Sequence, residues 1–367
     1  MPAHPHHAQE RSAPTLVHLQ YLRGLAALMV VVHHVVKARE GFFSPLAGSD
    51  FGRAGVLIFF VLSGFIIAHV SSADRPAAFA LRRVVRVVPL YWVLTLVFFA
   101  IQVRHDPSLA VLAERAPELL ASLFFVPHMH ETADRIWPIL VPGWTLNYEM
   151  FFFALFLAGL VVGRPRRVVP ALIAALVIAG LALPGSDPRW VTWTSPLLLL
   201  FVVGIALAEA WRRWDLSRAW PALPLGAVVL AAGAVGVAPG AAAQPTLAVG
   251  AALVTLGTLG CQARWPERRV PLLGPLGDAS YSLYLSHTIA LIVLLKILGA
   301  LPLGGWSQFA VVTTLAVGAC WVIGLLCYRW IERPMLHSHR RIVARILRPA
   351  PPSAAGLAAP PAGGSGR

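Results

Sequence analysis

Long apolar segments separated by short polar connections recur along almost the whole chain. A helix needs about 20 apolar residues to cross the hydrocarbon core of a bilayer, and ten segments approach or reach that length. We therefore predict an all-α, polytopic membrane protein of about ten transmembrane helices. The predicted spans are residues 16–36, 54–71, 84–102, 144–163, 168–184, 192–210, 222–239, 245–262, 280–299 and 306–329.

The arginines in the connections follow the pattern that the positive-inside rule predicts. Arginine clusters follow every second span, whereas the connections between them contain few Lys or Arg residues. This alternation places both termini in the cytoplasm. It predicts a polar cytoplasmic N-terminus (1–14), a transmembrane domain (15–336) and a disordered cytoplasmic tail (337–367), because that tail is basic and then rich in Pro, Ala and Gly.

The composition excludes a soluble enzyme. Only 13% of the residues are charged and 57% are hydrophobic, whereas a soluble domain carries about 25% charged residues. The net charge of +14 does not indicate a nucleic-acid partner, because the positive-inside rule accounts for the arginines; the expected partner is membrane lipid. Cys261, Cys320 and Cys327 lie in or beside apolar segments, so we expect neither a disulfide framework nor a metal site.

The first span, residues 16–36, contains Arg23 and the pair His33 and His34. Ionisable groups at membrane depth are costly and usually functional. Arg23 and His34 are separated by close to three helical turns, so both project from one face, about 16 Å apart along the axis. His33 lies about 80° off that face. We therefore expect Arg23 and His34 to look into one polar cavity.

A second basic motif, Arg83-x-x-Arg86, follows span two and precedes Pro89. Residues three apart share a helix face, and paired guanidinium groups suit phosphate because each presents a rigid fork of donors. The alternative is a simple positive-inside anchor.

Glu149 lies one to two turns into span four, with Trp144 and Tyr148 nearby. A carboxylate at that depth must pair, accept hydrogen bonds or become protonated. It could orient a histidine or an arginine, or bind a substrate hydroxyl. The alternative is a glutamate still wetted by the outer aqueous layer.

Span nine carries a polar stripe. Ser280, Tyr281, Tyr284 and His287 recur at intervals of three and four residues, and such a stripe should face a cavity rather than lipid. Hydrogen bonding between helices alone is the alternative.

Three further features favour structural roles. Ser63 and Gly64 are small enough to let another helix approach closely. Glu332 closes span ten and is expected to serve structure or the cytoplasmic rim. The long outer connection, 102–143, contains an apolar stretch too short to span, which predicts either a binding segment or a short amphipathic helix at the interface.

The order and spacing of these motifs resemble those of the membrane-bound acyltransferase-3 family, over roughly residues 15–336. The matching features are the Arg23-to-His34 spacing, FFVLSGF, the Arg83 and Arg86 pair followed by Pro89, GWTLNYEMFF, SYSLYLSH and the closing ERP at 332–334. The family includes O-acyltransferases of polysaccharides, Nod factors and macrolides. The resemblance implies a multi-pass enzyme of the bacterial plasma membrane that moves an acyl group, usually acetyl from acetyl-CoA, onto a hydroxyl, commonly of a sugar.

The resemblance also implies roles for individual residues. His34 matches the family's essential histidine, Arg23 its partner arginine, and Arg83 and Arg86 its cytoplasmic arginine pair. A neutral histidine can accept the proton of an attacking hydroxyl, and a cation near the carbonyl can stabilise the oxyanion. Arg23 therefore either stabilises the oxyanion or binds a phosphate or pantetheine group of the donor. An acyl-histidine intermediate remains an alternative.

The remaining expectations concern the donor and the substrate. Arg83 and Arg86 would bind the phosphates of the acyl-CoA donor, and Glu149 would join the catalytic group. Substrate contacts are expected from Trp144, Tyr281, Tyr284 and His287; a carbohydrate or glycoside is the expected acceptor, and no metal is expected.

A transporter or flippase of a lipid-linked sugar or small metabolite is the alternative function, since it would use the same buried Arg, His and Glu side chains. It predicts inverted repeats, and the sequence shows no such symmetry. A glycan polymerase or ligase would need a large basic outer loop, which 102–143 matches weakly.

Overall fold

A computed structural model describes residues 16–37, 41–131, 133–237, 240–266 and 268–338. Within these ranges the chain forms α-helices and no β-strand, which confirms the all-α prediction. The helices are α1 (Val17–Val36), α2 (Phe51–Ser71), α3 (Pro76–Val103), α4 (Leu109–Leu123), α5 (Trp144–Val161), α6 (Pro165–Ala182), α7 (Pro188–Trp193), α8 (Leu199–Arg213), α9 (Ala222–Ala234), α10 (Ala243–Arg264), α11 (Leu273–Asp278), α12 (Ser280–Gly299) and α13 (Gly305–Cys327). A π-helical turn, Tyr328–Glu332, continues α13.

Nine helical segments of the described chain are long and apolar enough to cross a membrane. They coincide with nine of the ten predicted spans. At the seventh span the structure has the shorter apolar helix α9 of 13 residues, which rises only about 20 Å. The prediction of a polytopic protein is therefore confirmed, with one helix shorter than a full crossing. The orientation of the termini stays a prediction, and residues 1–14 and most of the tail lie outside the described residues.

The long connection between α3 and α5 contains the helix α4. Leu109, Leu120 and Phe124 expose apolar side chains there, while Arg115 forms ion pairs with Glu118 and Glu131. The short helix that was one of the two alternatives for this connection is thus present, while its location at the membrane interface and a role in binding stay predictions.

Helices α1 and α2 lie at the centre of the bundle. Helix α1 packs against α2, α10, α11, α12 and α13, and α2 packs chiefly against α1 and α8. The close approach predicted at Gly64 is confirmed, because a Cβ atom there would overlap the carbonyl group of Phe201 in α8, and one at Gly204 would overlap α2. Because helices surround α1 on most sides, its polar side chains face protein.

Candidate active site

A cavity of about 150 Å³ lies between α1, α2, α3, α5 and α12. Its wall combines charged and hydroxyl groups with aliphatic and aromatic side chains. The polar lining residues are Arg23, Ser63, Arg83, Arg86, Thr145, Glu149, Ser280, Tyr281 and Tyr284; the apolar ones are Val56, Phe59, Phe60, Leu62, Ile66, Ile67, Val87, Leu146 and Phe153. Six of the residues expected in the site therefore meet at one cavity, which we call the inner cavity.

Glu149 lies in the wall of the inner cavity and accepts a hydrogen bond from a neighbouring helix. The donor is Ser63 Oγ of α2, 2.7 Å from Glu149 Oε1. Packing was the favoured role for Ser63, and this contact gives it a second role. The signal in the sequence was a small hydroxyl residue in one apolar span and an acidic residue in another, but nothing local indicates that the two meet.

Arg23 enters the inner cavity from α1. The acidic side chains near its guanidinium group are Glu149, Glu332 and Asp278, and Arg86 is the nearby basic one. Among the described residues, no carboxylate lies within 4.0 Å of the Arg23 guanidinium group to form an ion pair with it. An arginine in this setting can bind an anionic or carbonyl oxygen of a ligand.

Arg83 is held between aromatic rings at the edge of the cavity. Its guanidinium carbon lies 5.5 Å from the ring centroid of Phe79 and 5.9 Å from that of Phe153, distances typical of cation–π contacts. One terminal nitrogen donates to Ser71 Oγ at 3.0 Å. The Nε atom is buried and has no hydrogen-bond partner in the described part of the chain, so Arg83 retains an unused donor.

Arg86, in contrast, already has a strong partner. Its Nη1 atom lies 2.5 Å from Glu332 Oε1, and Ser282 Oγ donates to Glu332 Oε2 at 2.6 Å. The Glu332 side chain is only 2% exposed, whereas that of Arg86 is 31% exposed. Glu332 is therefore a buried structural partner of Arg86 rather than a residue of the cytoplasmic rim.

Tyr284 closes one side of the inner cavity. Its hydroxyl lies 2.9 Å from Thr145 Oγ1 and 3.0 Å from the carbonyl oxygen of Pro142, and Thr145 Oγ1 is also 3.0 Å from that carbonyl. Phe59 packs edge-on against the Tyr284 ring at 5.7 Å. The two hydroxyl groups supply two protons for three oxygen–oxygen contacts, so one contact lacks a proton in any arrangement. Tyr281 is also fixed, since its hydroxyl donates to the carbonyl oxygen of Val87 at 2.7 Å.

His34 lies in a different cavity, which we call the outer cavity. It is lined by His34, Thr288, Leu291, Ile292 and Leu295, and it shares no lining residue with the inner cavity. The expectation that Arg23 and His34 face one cavity is therefore wrong for this conformation. Side chains three turns apart on one face of a helix meet different neighbours. Here the rings of Tyr284 and His287 lie between the inner cavity and His34. The ring centroids of Tyr284 and His287 are 6.1 Å apart, and those of His287 and His34 are 5.1 Å apart.

Two residues expected to contact substrate lie away from both cavity walls. His287 is completely buried, with its Nδ1 atom 2.6 Å from the carbonyl oxygen of Tyr284. Trp144 packs edge-on against Phe60 and Tyr148, with ring centroids 6.5 and 5.9 Å apart. Direct substrate contact is thus better supported for Tyr281 and Tyr284 than for His287 and Trp144.

No group of three or more His, Cys, Asp or Glu side chains within the described ranges could hold a metal ion. Cys320 and Cys327 are buried and Cys261 is half-buried, all three as free thiols. The polar side chains that line the two cavities carry imidazole, guanidinium, carboxyl and hydroxyl groups.

Comparison with known proteins gives a family and three relatives. The family model described as "Acyltransferase domain" matches residues 16–325. The exopolysaccharide production protein ExoZ of Rhizobium meliloti is 39% identical over 300 residues, covering 79% of this chain and 91% of that protein. The acyltransferase MdmB of Streptomyces mycarofaciens is 27% identical, covering 92% of this chain and 97% of that protein.

The peptidoglycan O-acetyltransferase OatA of Listeria monocytogenes is 26% identical over 359 residues. The match covers 86% of this chain but only 54% of that longer protein. No solved structure gives a significant match.

Proposed function

Since this chain belongs to the acyltransferase-3 family and is a multi-pass membrane O-acyltransferase, we propose that it moves an acyl group from acyl-CoA to a hydroxyl of a sugar-containing acceptor. Acetyl is the simplest acyl group that fits this proposal. The observation that carries it is the inner cavity, where Arg23, Arg83 and Glu149 meet within the region that the family model matches.

The proposed acceptor is a cell-surface polysaccharide, a lipid-linked sugar precursor or a glycoside. This choice rests on the names of relatives, one concerned with exopolysaccharide production and one with peptidoglycan O-acetylation. The proposed location is the bacterial plasma membrane, with residues 15–336 as the transmembrane domain and both termini in the cytoplasm.

The inner cavity suits the donor. A volume of about 150 Å³ is smaller than the roughly 300 Å³ at which pockets for drug-sized ligands begin, so it would accept the narrow acyl-pantetheine end of a coenzyme and not its nucleotide. We assign the donor's phosphate to Arg83, because its buried Nε lacks a partner in the described chain. Arg86 would contribute mainly through its ion pair with Glu332.

The position of Arg23 favours one of its two expected roles. Arg23 and His34 are three turns apart, about 16 Å along the axis of α1, and they line separate cavities. A guanidinium group at that distance cannot stabilise an oxyanion formed beside His34. We therefore propose that Arg23 binds the phosphate or pantetheine part of the donor.

His34 is the proposed general base. The acceptor hydroxyl gives its proton to the neutral imidazole as its oxygen bonds to the thioester carbonyl carbon. The carbon–sulfur bond then breaks, and the imidazolium returns the proton to the departing thiolate. Because Tyr284 and His287 stand between the inner cavity and His34, the acyl end must pass Tyr284 before it reaches the base.

The test compares His34→Ala with His33→Ala. His33 is adjacent, but its Nδ1 lies 4.0 Å from Asp50 and it lines neither cavity. With purified protein and labelled acyl-CoA, His34→Ala should bind the donor yet transfer nothing, while His33→Ala should transfer normally. Transfer by His34→Ala would refute the assignment of the base.

A second measurement separates the enzyme from a transporter. Mass spectrometry of surface glycans, with and without the gene, should show the loss of acetyl esters. Arg83→Met should raise the KM for acyl-CoA with little change in kcat. Failure of the purified protein to bind acyl-CoA would favour a transporter or flippase.

A further inference from the structure

A second imidazole ring lies directly against the proposed base. The centroid of the His287 ring is 5.1 Å from that of His34, and the two ring planes are inclined by 33°. This separation falls within the range of attractive contacts between flat rings, about 4.5–7 Å. His34 on α1 therefore rests against a ring supplied by α12.

Burial and a hydrogen bond hold the His287 ring in place. It is completely buried, and its Nδ1 atom lies 2.6 Å from the carbonyl oxygen of Tyr284, one turn earlier in α12. A carbonyl oxygen can only accept, so Nδ1 must carry the proton. This hydrogen bond sets both the tautomer and the orientation of the ring.

A histidine is a costly choice for this position if packing alone is required. An imidazole loses favourable interactions with water on burial, and a hydrogen bond only partly offsets that loss. A leucine of similar size would fill the same space without a polar atom. The position thus favours a ring whose direction can be fixed by a hydrogen bond.

We propose that His287 is a positioning residue that holds the His34 ring in the orientation needed for proton transfer. This inference rests on the proposed function of His34 as the general base. His287 keeps its own Nδ1 proton throughout, and the transferred proton passes only from the acceptor hydroxyl to His34 and then to the thiolate. His287 acts through the face of its ring and does not touch the substrate.

The test uses two substitutions of His287. His287→Phe keeps a flat ring against His34, whereas His287→Leu removes it. His287→Leu should lower kcat by about 100-fold, the loss associated with a misplacement of about 1 Å. His287→Phe should retain clearly more activity than His287→Leu. Both variants should keep the native KM for acyl-CoA, because the donor binds in the inner cavity, which His287 does not line.

Ser286→Ala is the matched control on the same helix. Its Oγ atom is buried without a hydrogen-bond partner in the described chain, so its loss should change neither kcat nor KM. Thermal unfolding of every variant in detergent shows whether a loss of activity comes from unfolding.

Several results would overturn the proposal. Native kcat in His287→Leu would show that the ring contact is not needed. Equal losses in the Phe and Leu variants, with native donor binding and unfolding temperature, would assign the effect to the ring nitrogens instead. Activity in His34→Ala would contradict the proposed function itself, whereas an inactive His34→Ala with a fully active His287→Leu would contradict only the positioning role.

Discussion

The ion pair between Arg86 and Glu332 makes a quantitative prediction that separates structure from substrate binding. Arg86→Met removes the cation and leaves Glu332 with its hydrogen bond from Ser282 alone. Removing one partner of a fully buried pair costs about 3–5 kcal/mol, because the other charge remains buried. Since the Arg86 side chain is 31% exposed, solvent screens part of the interaction, and we expect a loss of about 2–3 kcal/mol.

The assay is a double-mutant cycle for unfolding in detergent. Arg86→Met and Glu332→Gln should each lower the free energy of unfolding, and the double variant should lose less than the sum. The coupling between contacting residues is typically about 0.5–3 kcal/mol. Arg82→Met is the control, because Arg82 pairs with Asp74 while its own side chain is 40% exposed; exposed pairs contribute about 0–1 kcal/mol.

One result would refute this reasoning directly. If Arg86→Met left the free energy of unfolding unchanged and raised the KM for acyl-CoA as much as Arg83→Met does, the Arg86 charge would belong to the donor site. The sequence prediction of a paired phosphate clamp would then stand, and the contact with Glu332 would be incidental.

The packing and the polar contacts support three further predictions. Gly204→Ala should destabilise the protein by about 1–3 kcal/mol, the usual cost of overpacking. Gly318→Ala should leave the stability unchanged, because no atom lies within 4 Å of the added carbon. Thermal unfolding measures the effect of both substitutions. Ser63→Ala should lower kcat/KM by up to about tenfold, because a hydrogen bond contributes about 0.5–1.5 kcal/mol and Glu149 loses its donor; unchanged kcat/KM would show that Glu149 does not belong to the site. Tyr284→Phe should increase the release of free CoA in the absence of acceptor, since the ring loses its hydroxyl anchor; unchanged thioester hydrolysis would show that Tyr284 does not separate the cavities.

The sequence predicts the helices well because about 20 apolar residues in a row leave few alternatives in a bilayer. It also identifies Arg23 and Glu149 as unusual, because charges at membrane depth are rare. It cannot show that a residue near one end of the chain meets a residue near the other, as Arg86 and Glu332 do. Those contacts depend on how the helices cross.

Neighbours in sequence also mislead within a single helix. Trp144 and Glu149 both belong to α5, but five residues turn a helix by about 500°, which leaves the two side chains about 140° apart. Glu149 therefore lines the inner cavity while Trp144 packs on Phe60 and Tyr148. The spacing of the two residues along the sequence is enough to place them on different faces of the helix.

The separation of the two cavities has a consequence for the membrane as an electrical barrier. A protein that handled a donor on one side and an acceptor on the other through a continuous aqueous passage would also conduct protons and small ions. In this conformation the passage is interrupted at Tyr284 and His287, since the cavities share no lining residue. We therefore expect the protein in this conformation to conduct no ions, so that a gradient across the bilayer can persist while the protein waits for its substrates.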